Sequence, residues 1–253
     1  MMKQYFENLV SGIENKLREH PESISPRKIY ALEVAKLGTR LYSGRDRISW
    51  CGIAVPFDLL SAMDVTSCFV EFIGAMLASN NLAGDFIEAS EHAGFGGDTC
   101  GYHRSVMGAA FKDIMPVPDF LIGTSCPCSG GLSIMENLAR HFKKDMFVLD
   151  IPQEESERSV HYLAGQIERM VKFVSDHTGV PLDEDRLKNA IHLTNQAREL
   201  MLDLYGYAQH IPSPANGRLM ANLGIVLPLL LGTEAAVEIC RIYRDTLAGR
   251  IDD

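Results

Sequence analysis

One stretch of the chain, Pro118 to Pro152, constrains the fold more than any other. A short apolar run of strand composition, Phe120–Gly123, opens it. A turn of thiols and small residues, Thr124–Gly131, follows, and a helical pattern with its apolar residues on one face comes next. A second strand pattern, Met146–Ile151, ends at the closing proline. Strand-turn-helix-strand units form parallel sheets whose functional loops lie at the carboxyl ends of the strands. We therefore predict that the thiol-rich turn carries the site.

The rest of the sequence predicts helices on both sides of this unit. Their patterns cover residues 3–20, 27–42, 57–63, 85–92, 100–111, 156–177, 183–210 and 217–249, with further strands at 48–54 and 66–72. The predicted fold class is α/β, with a parallel-sheet, Rossmann/flavodoxin-like domain at residues 45–152. N-terminal helices (1–44) precede this domain, and a helical region (153–253) follows it.

Charge and hydropathy exclude several classes of partner. The chain of 253 residues has a formal net charge of -9 and no long basic run, which argues against nucleic acid and against an anionic membrane surface. The N-terminus reads as an amphipathic helix of mixed charge rather than a signal peptide. The longest apolar run, residues 223–231, is too short to span a bilayer. We therefore expect a cytoplasmic protein.

Six cysteines occur, and without an export signal they are better metal ligands or buried thiols than disulfides. Taken singly, each is typical of a buried small apolar residue. Cys100 differs because it follows a glycine-rich break and heads a helix pattern, where the helix dipole favours the thiolate that binds metal. Cys126 and Cys128 differ because they end a strand and precede a helix, where thiolates can ligate iron or zinc. The alternative for this pair is a tight turn with one cysteine buried.

Other motifs are weaker. Gly130–Gly131 before a helix would let backbone N–H groups approach a phosphate, but neither a dinucleotide fingerprint nor a P-loop is present. No zinc-finger spacing of Cys and His occurs either. Candidate acid/base groups, each equally typical of a solvated side chain, are Glu71, Glu88, Glu91, His92 and His103.

The order of four motifs, WCGIAVPFDLLSAMDV, GGDTCGYHRSVMG, PDFLIGTSCPCSGGLSIMENL and FVLDIP, resembles a known family. It is similar to the 2-hydroxyacyl-CoA dehydratases, of the 2-hydroxyglutaryl-CoA dehydratase D-component type, and to the related benzoyl-CoA reductase subunits. The resemblance covers about residues 45–240, including the PSPANGRL segment, and corresponds to the N-terminal half of such a subunit.

The resemblance implies a 4Fe–4S cluster held by three cysteines, with one iron left open. Cys100 matches the first family cysteine, and Cys128 matches the second when the alignment runs through Gly130 and Glu136. Cys126 is extra and is the backup ligand for that second position. The third family cysteine lies in a second α/β domain that follows the helices, which we expect to be absent here, and Cys240 does not match it. The third ligand therefore comes from another polypeptide, or Cys126 substitutes, or the cluster is absent.

The family reaction removes water from an (R)-2-hydroxyacyl-CoA, which implies a hydro-lyase. A single electron delivered to the thioester carbonyl gives a ketyl radical that expels the α-hydroxyl and makes the β-proton removable. Such a reaction implies an acyl-CoA substrate, a second dehydratase subunit and an ATP-dependent activator protein, with His103 and Glu71 as candidates for the general base. Two alternatives stay open: a reductase subunit of the benzoyl-CoA or double-cubane kind, and a cluster-free partial subunit with a binding or assembly role.

Overall fold

The computed structural model of the chain describes residues 2–252, with the side chains at all positions except 218, 225–227 and 252. Its elements, in chain order, are α1 (Met2–Glu19), a 3-10 helix (Pro21–Ser23), α2 (Pro26–Leu41), β1 (Arg47–Cys51), α3 (Phe57–Ala62), β2 (Val65–Phe69), α4 (Val70–Ser79), α5 (Ala83–His92), α6 (Gly101–Phe111), β3 (Phe120–Thr124), α7 (Ser129–Phe142), β4 (Met146–Leu149), α8 (Glu157–Thr178), α9 (Glu184–Ala208), α10 (Gly217–Leu230) and α11 (Glu234–Asp252). Within this part of the chain, no helix combines the length and hydrophobicity needed to cross a bilayer.

The four strands form one parallel sheet in the order β2-β1-β3-β4. Ser49 of β1 is paired with Phe120 of β3, and Leu121 of β3 is paired with Met146 of β4. Every residue of β3 is buried, as expected of a central strand covered on both faces by helices. The predicted α/β fold, with a parallel sheet and helical extensions, is therefore confirmed.

Local sequence signals set the ends of several helices. Ser25 accepts a hydrogen bond from the Lys28 amide at the start of α2, where Pro26 occupies the first turn. Asp183 caps α9 in the same way through the amides of Asp185 and Arg186. Gly179 ends α8 in the left-handed conformation, with φ of 70°, which glycine adopts without a Cβ clash.

The chain divides into two compact units that alternate along the sequence. One comprises the described residues up to Asp46, Phe57–Thr66 and those from Asp183 onward. Large apolar side chains, among them Leu60, Leu204 and Leu247, fill its helical core.

The other unit comprises Arg47–Pro56 and Ser67–Leu182, and it contains most of the sheet. Its core lies where Trp50, Phe120, Met107 and Met135 are fully buried. The cysteine-rich turn predicted to carry the site belongs to this unit.

Several predicted boundaries were wrong, among them those of the strands predicted at 48–54 and 146–151, which end at Cys51 and Leu149. The single helix predicted at residues 217–249 is two helices, α10 and α11, separated at residues 231–233. Gly232 adopts φ of 78° there, and the Thr233 hydroxyl accepts a hydrogen bond from the Ala236 amide at the start of α11. The strand predicted at residues 66–72 ends at Phe69, because Val70 already begins α4.

Candidate functional site

The predicted turn lies where the strand order of the sheet reverses. From β1 the chain passes to β2 on one side, whereas β3 pairs with β1 on the other. The Gly52 amide donates to the Ile122 carbonyl at 2.8 Å, so the loop after β1 begins beside the end of β3. A methyl group placed on Gly52 would lie 2.8 Å from the Thr124 hydroxyl, so a larger residue would push the two strand ends apart. Ligands of open parallel sheets bind in the crevice at such a reversal of strand order.

The cysteine turn, Ser125–Cys128, is tied to the end of the neighbouring strand. The Ser125 amide donates to the Leu149 carbonyl at 3.1 Å, and the Ser125 hydroxyl accepts from the Ile151 amide at 2.9 Å. These bonds hold the backbone on one side of the two thiols. Cys126 is half-buried and Cys128 is exposed, so the turn lies at the surface of the protein.

Cys128 is the N-cap residue of α7, just ahead of Gly130 and Gly131 in the first turn. Its side chain makes no capping hydrogen bond within the described chain, so the sulfur is not engaged by its own helix. Cys100 occupies the same position at the start of α6, is also exposed and likewise makes no capping bond to a described residue. Both predicted ligands therefore sit at helix N-termini.

Glu71 and His103 form a mostly buried pair beside these helix starts. Glu71 lies in the first turn of α4, and His103 lies in the first turn of α6. The distance from Glu71 Oε1 to His103 Nε2 is 3.8 Å, with 21% of the glutamate side chain and 5% of the histidine side chain exposed. This distance suits an ion pair but is too long for a hydrogen bond. The other carboxylate oxygen, Glu71 Oε2, is buried and has no hydrogen-bond partner among residues 2–252.

The two glycines of α7 bring this pair next to Cys128. A methyl group placed on Gly130 would lie 3.1 Å from His103 Cε1 and 3.5 Å from Cys128 Sγ. A methyl group on Gly131 would lie 3.3 Å from Glu71 Oε1 and 3.9 Å from Cys128 Cβ. Hence Glu71, His103 and Cys128 surround the first turn of α7, and the glycines leave the space between them free of side chains.

The remaining cysteines are buried and unsuited to ligation. Burial raises the pKa of Cys51 and of Cys240 to about 12. Burial also raises the pKa of Cys68 well above its ordinary value, with smaller contributions from Cys51 and Glu71. A thiol of this kind stays protonated at neutral pH and binds metal poorly.

The other acid/base candidates lie outside the site. Glu88 and His92 form an exposed pair at 3.9 Å on α5, and Glu91 pairs with Arg104. The sequence alone did not reveal that Glu71 and His103 meet, because an entire helix separates them in the chain and no short motif links them. It also did not assign a contact to Arg104, whose guanidinium reaches back to the loop before Cys100.

The donor set suits an iron–sulfur cluster in part. Cys100 and Cys128 offer thiols of the right chemistry at exposed helix starts, and Cys128 lies close to the glutamate that holds an unpartnered buried oxygen. In the part of the chain that the structure describes, however, no three His, Cys, Asp or Glu side chains converge as a metal site. The described residues therefore include two exposed cysteines whose chemistry suits a cluster, but no complete metal site.

Comparison with characterised proteins agrees with the resemblance seen in the motifs. The chain is 24% identical over 211 residues to the (R)-phenyllactyl-CoA dehydratase alpha subunit of Clostridium sporogenes, covering 79% of this chain and 51% of that protein. It is 27% identical over 107 residues to (R)-2-hydroxyglutaryl-CoA dehydratase, subunit alpha, of Acidaminococcus fermentans, covering 41% and 22%. It is 23% identical over 208 residues to a benzoyl-CoA reductase subunit of Thauera aromatica, covering 77% and 48%.

The chain thus spans about half the length, or less, of the relatives it matches. The family model for 2-hydroxyglutaryl-CoA dehydratase, D-component, matches residues 52–253, which include the whole cysteine turn and all of α4, α6 and α7. The chain therefore belongs to the 2-hydroxyglutaryl-CoA dehydratase, D-component family.

Proposed function

We propose that this chain is part of the iron–sulfur subunit of an ATP-activated (R)-2-hydroxyacyl-CoA dehydratase, a hydro-lyase that converts its substrate to the 2-enoyl-CoA and water. The observation that carries the proposal is the Glu71–His103 pair, with its unpartnered oxygen, beside the exposed Cys128 sulfur. A buried acceptor without a partner costs free energy, so it is expected where a ligand or a proton completes it.

In this proposal Cys100 and Cys128 are two ligands of a 4Fe–4S cluster. Cys126 is the alternative to a third ligand that lies outside the described residues. When bound, such a cluster supplies a low-potential electron and an open iron that acts as a Lewis acid towards a substrate oxygen. The exposed sulfurs suit this role because a cluster that meets a substrate must itself face the crevice.

The chain's own side chains then handle the proton. Loss of water from the substrate breaks one C–O bond at the α carbon and one C–H bond at the β carbon. We assign the β-proton to the Glu71 carboxylate, whose Oε1 borders the space beside Gly131 and whose Oε2 has no hydrogen-bond partner among the described residues. His103 faces the other oxygen, Oε1, and holds the carboxylate in place. The low exposure of both side chains keeps bulk water from competing for that proton.

The partners follow from the relatives and the chemistry. Each of the similar proteins is named as one subunit of an enzyme, which supports a second subunit here as well. We propose further that the substrate is an acyl-CoA thioester and that a separate ATP-dependent activator protein delivers the electron.

Two alternatives have their own support. The similarity to the benzoyl-CoA reductase of Thauera aromatica favours a reductase of the benzoyl-CoA or double-cubane kind, in which the electron stays in the product. A cluster-free chain with a binding or assembly role is favoured by the lack of a three-ligand group among the described residues.

The test is anaerobic reconstitution of the full chain with iron and sulfide, alone and together with its second subunit. We expect about four irons per chain and a reduced-cluster EPR signal. We expect most of that iron to be lost in Cys100→Ser and in Cys128→Ser. Cys240→Ser, which changes a buried thiol outside the site, is the matched control and should bind iron normally.

The reaction is then followed with the activator protein and ATP, using a 2-hydroxyacyl-CoA or benzoyl-CoA. Loss of one water molecule from the 2-hydroxyacyl-CoA, seen by mass spectrometry, supports the dehydratase. Turnover of benzoyl-CoA, without turnover of the 2-hydroxyacyl-CoA, supports the reductase. A chain that binds no iron in either preparation would leave only the binding or assembly role.

A further inference from the structure

The loop that precedes Cys100 is exposed and has few internal bonds. It runs from the end of α5 to Thr99, and four of its residues from Gly94 to Asp98 are exposed. Gly94 adopts φ of 100°, and the Phe95 and Thr99 amides donate to Ser90 and Gly96 at 3.1 and 3.0 Å. A thiol carried on such a loop needs an additional contact if its sulfur is to keep a fixed position.

Arg104 supplies that contact from one turn inside α6. Its backbone amide donates to the Cys100 carbonyl at 3.0 Å, as the first hydrogen bond of the helix. Its side-chain Nε donates to the Thr99 carbonyl at 2.9 Å. The carbonyls on both sides of the Cys100 Cα therefore accept hydrogen bonds from the same residue, which fixes the two peptide planes that flank the cysteine.

The same guanidinium is anchored at its other end. Arg104 Nη1 pairs with Glu91 Oε1 in the last turn of α5, and only 17% of the arginine side chain is exposed. The Arg104 guanidinium thus connects Glu91, just before the loop, to Thr99 at the end of the loop. Arginine can do this because its several N–H donors point in fixed directions, whereas lysine carries a single ammonium point charge.

We propose that Arg104, held by Glu91, is a positioning residue that fixes Cys100 for ligation. The inference rests on the proposed function only in what Cys100 ligates. The contacts of Arg104 with Glu91 and Thr99, which we call the clamp, involve no cluster. The arginine does not contact the substrate or the sulfur in this assignment, and it acts through the backbone on either side of the cysteine. Its loss therefore loosens the loop while the thiol itself is unchanged.

Three variants of the full chain test the proposal: Arg104→Lys, Arg104→Gln and Glu91→Gln. Lysine keeps the positive charge near Cys100 but cannot make both bonds, so it separates positioning from simple charge attraction. Arg241→Gln is the matched control, because Arg241 pairs with Glu238 on an exposed face of α11.

The first readout needs no iron. Hydrogen exchange of the peptide spanning residues 93–100 should accelerate about tenfold in both Arg104 variants, and less in Glu91→Gln, where the Thr99 bond remains. In the Arg104 variants the rate of Cys100 alkylation should change relative to the rate for Cys128 in the same molecule. In Arg241→Gln both the exchange and the alkylation rates should match those of the unsubstituted chain. The second readout is the cluster: in Arg104→Lys we expect less retained iron and a broadened EPR signal.

Unchanged exchange and unchanged alkylation in Arg104→Lys would overturn the proposal. If circular dichroism shows that the Arg104 variants do not fold, the surface substitution Glu91→Gln decides it through the same exchange measurement. A chain that never binds iron refutes only the proposed cluster, because hydrogen exchange of the loop and alkylation of Cys100 still test the clamp. The two failures are therefore distinguishable.

Discussion

At the scale of single residues, Glu71 combines two states that a carboxylate seldom combines. One oxygen lies at ion-pair distance from the buried His103, and the other is buried with no partner in the described chain. Leaving a buried acceptor unpaired costs about 1–3 kcal/mol. A side chain kept in that condition is suited to accept a hydrogen bond or a proton from a bound substrate.

Substitution Glu71→Gln tests this role, because it keeps the shape and removes the basic oxygen. We expect the dehydration rate of the reconstituted enzyme to fall by a factor of about 100 or more. Bound iron should stay constant, since Glu71 is not among the proposed ligands. Steady-state rates and iron content measured on one preparation check both statements.

The control for that substitution is Glu88→Gln, on the exposed face of α5. It removes the same charge away from the site and should leave the rate unchanged. A Glu71→Gln enzyme with the full dehydration rate would rule out Glu71 as the proton acceptor.

The environment of Asp46 predicts how the stability of the folded protein depends on pH in acid. Partial burial favours its protonated form, but hydrogen bonds from Arg40 and Thr66 outweigh this and lower the pKa of the Asp46 carboxyl. The Arg40 Nε donates at 2.9 Å and the Thr66 hydroxyl at 3.0 Å. The carboxylate therefore stabilises the folded state fully above the ordinary pKa of the unfolded chain, about 3.9. That stabilisation is lost as the pH falls through the lower pKa of the folded chain.

Asp46→Asn should accordingly lower the free energy of unfolding by about 1–2 kcal/mol at pH 7. In acid the difference should shrink, because the wild-type carboxyl then becomes protonated. Urea unfolding of both proteins at neutral pH and near pH 3 measures this. A difference that stays constant over that range contradicts the assignment.

At the scale of elements, the contact between α5 and α6 depends on one glycine. A methyl group placed on Gly108 would lie 1.8 Å from the Phe86 carbonyl oxygen, so the two helix backbones touch there. This contact sets the spacing of the helices that flank the Cys100 loop. Met107, the residue before this glycine, is buried in the core.

Gly108→Ala should therefore destabilise the protein by about 3 kcal/mol or more, because backbone rather than a flexible side chain must shift. Gly84→Ala is the matched control on α5, where no atom lies within 4 Å of the added methyl group. That substitution should be neutral or stabilising, since alanine favours helix over glycine. Thermal unfolding of the two variants compares them, and equal midpoints would contradict the close approach.

The sequence predicted these elements well where the signal was local. The run from Phe120 to Ile151 showed its strand, turn and helix through composition and spacing. The break at Gly232 was missed because the apolar pattern continues across it, although a glycine followed by threonine is a signal for a helix end and a new cap. The contact at Gly108 was not predictable, since it depends on how two helices cross.

At the scale of the whole molecule, the family and the parallel sheet could be predicted, and the content of the site only in part. The order of the motifs was enough for the family, which the match over residues 52–253 confirms. The position of Cys100 and Cys128 at the starts of helices was predicted from their sequence context, whereas their exposure was not. The meeting of Glu71 with His103 is a property of the three-dimensional packing of α4 against α6, and no spacing in the sequence reports it.

The interleaving of the two units has a consequence for protein engineering. The unit that carries both exposed thiols is not one continuous gene fragment, because residues 57–66 leave it and the chain re-enters at Ser67. It cannot be transferred to another protein as one fragment without residues 57–66. A crossover on either side of those residues would separate β1 from β3, with which it pairs. Recombination between homologous genes should therefore preserve the whole span from Arg47 to Leu182 intact.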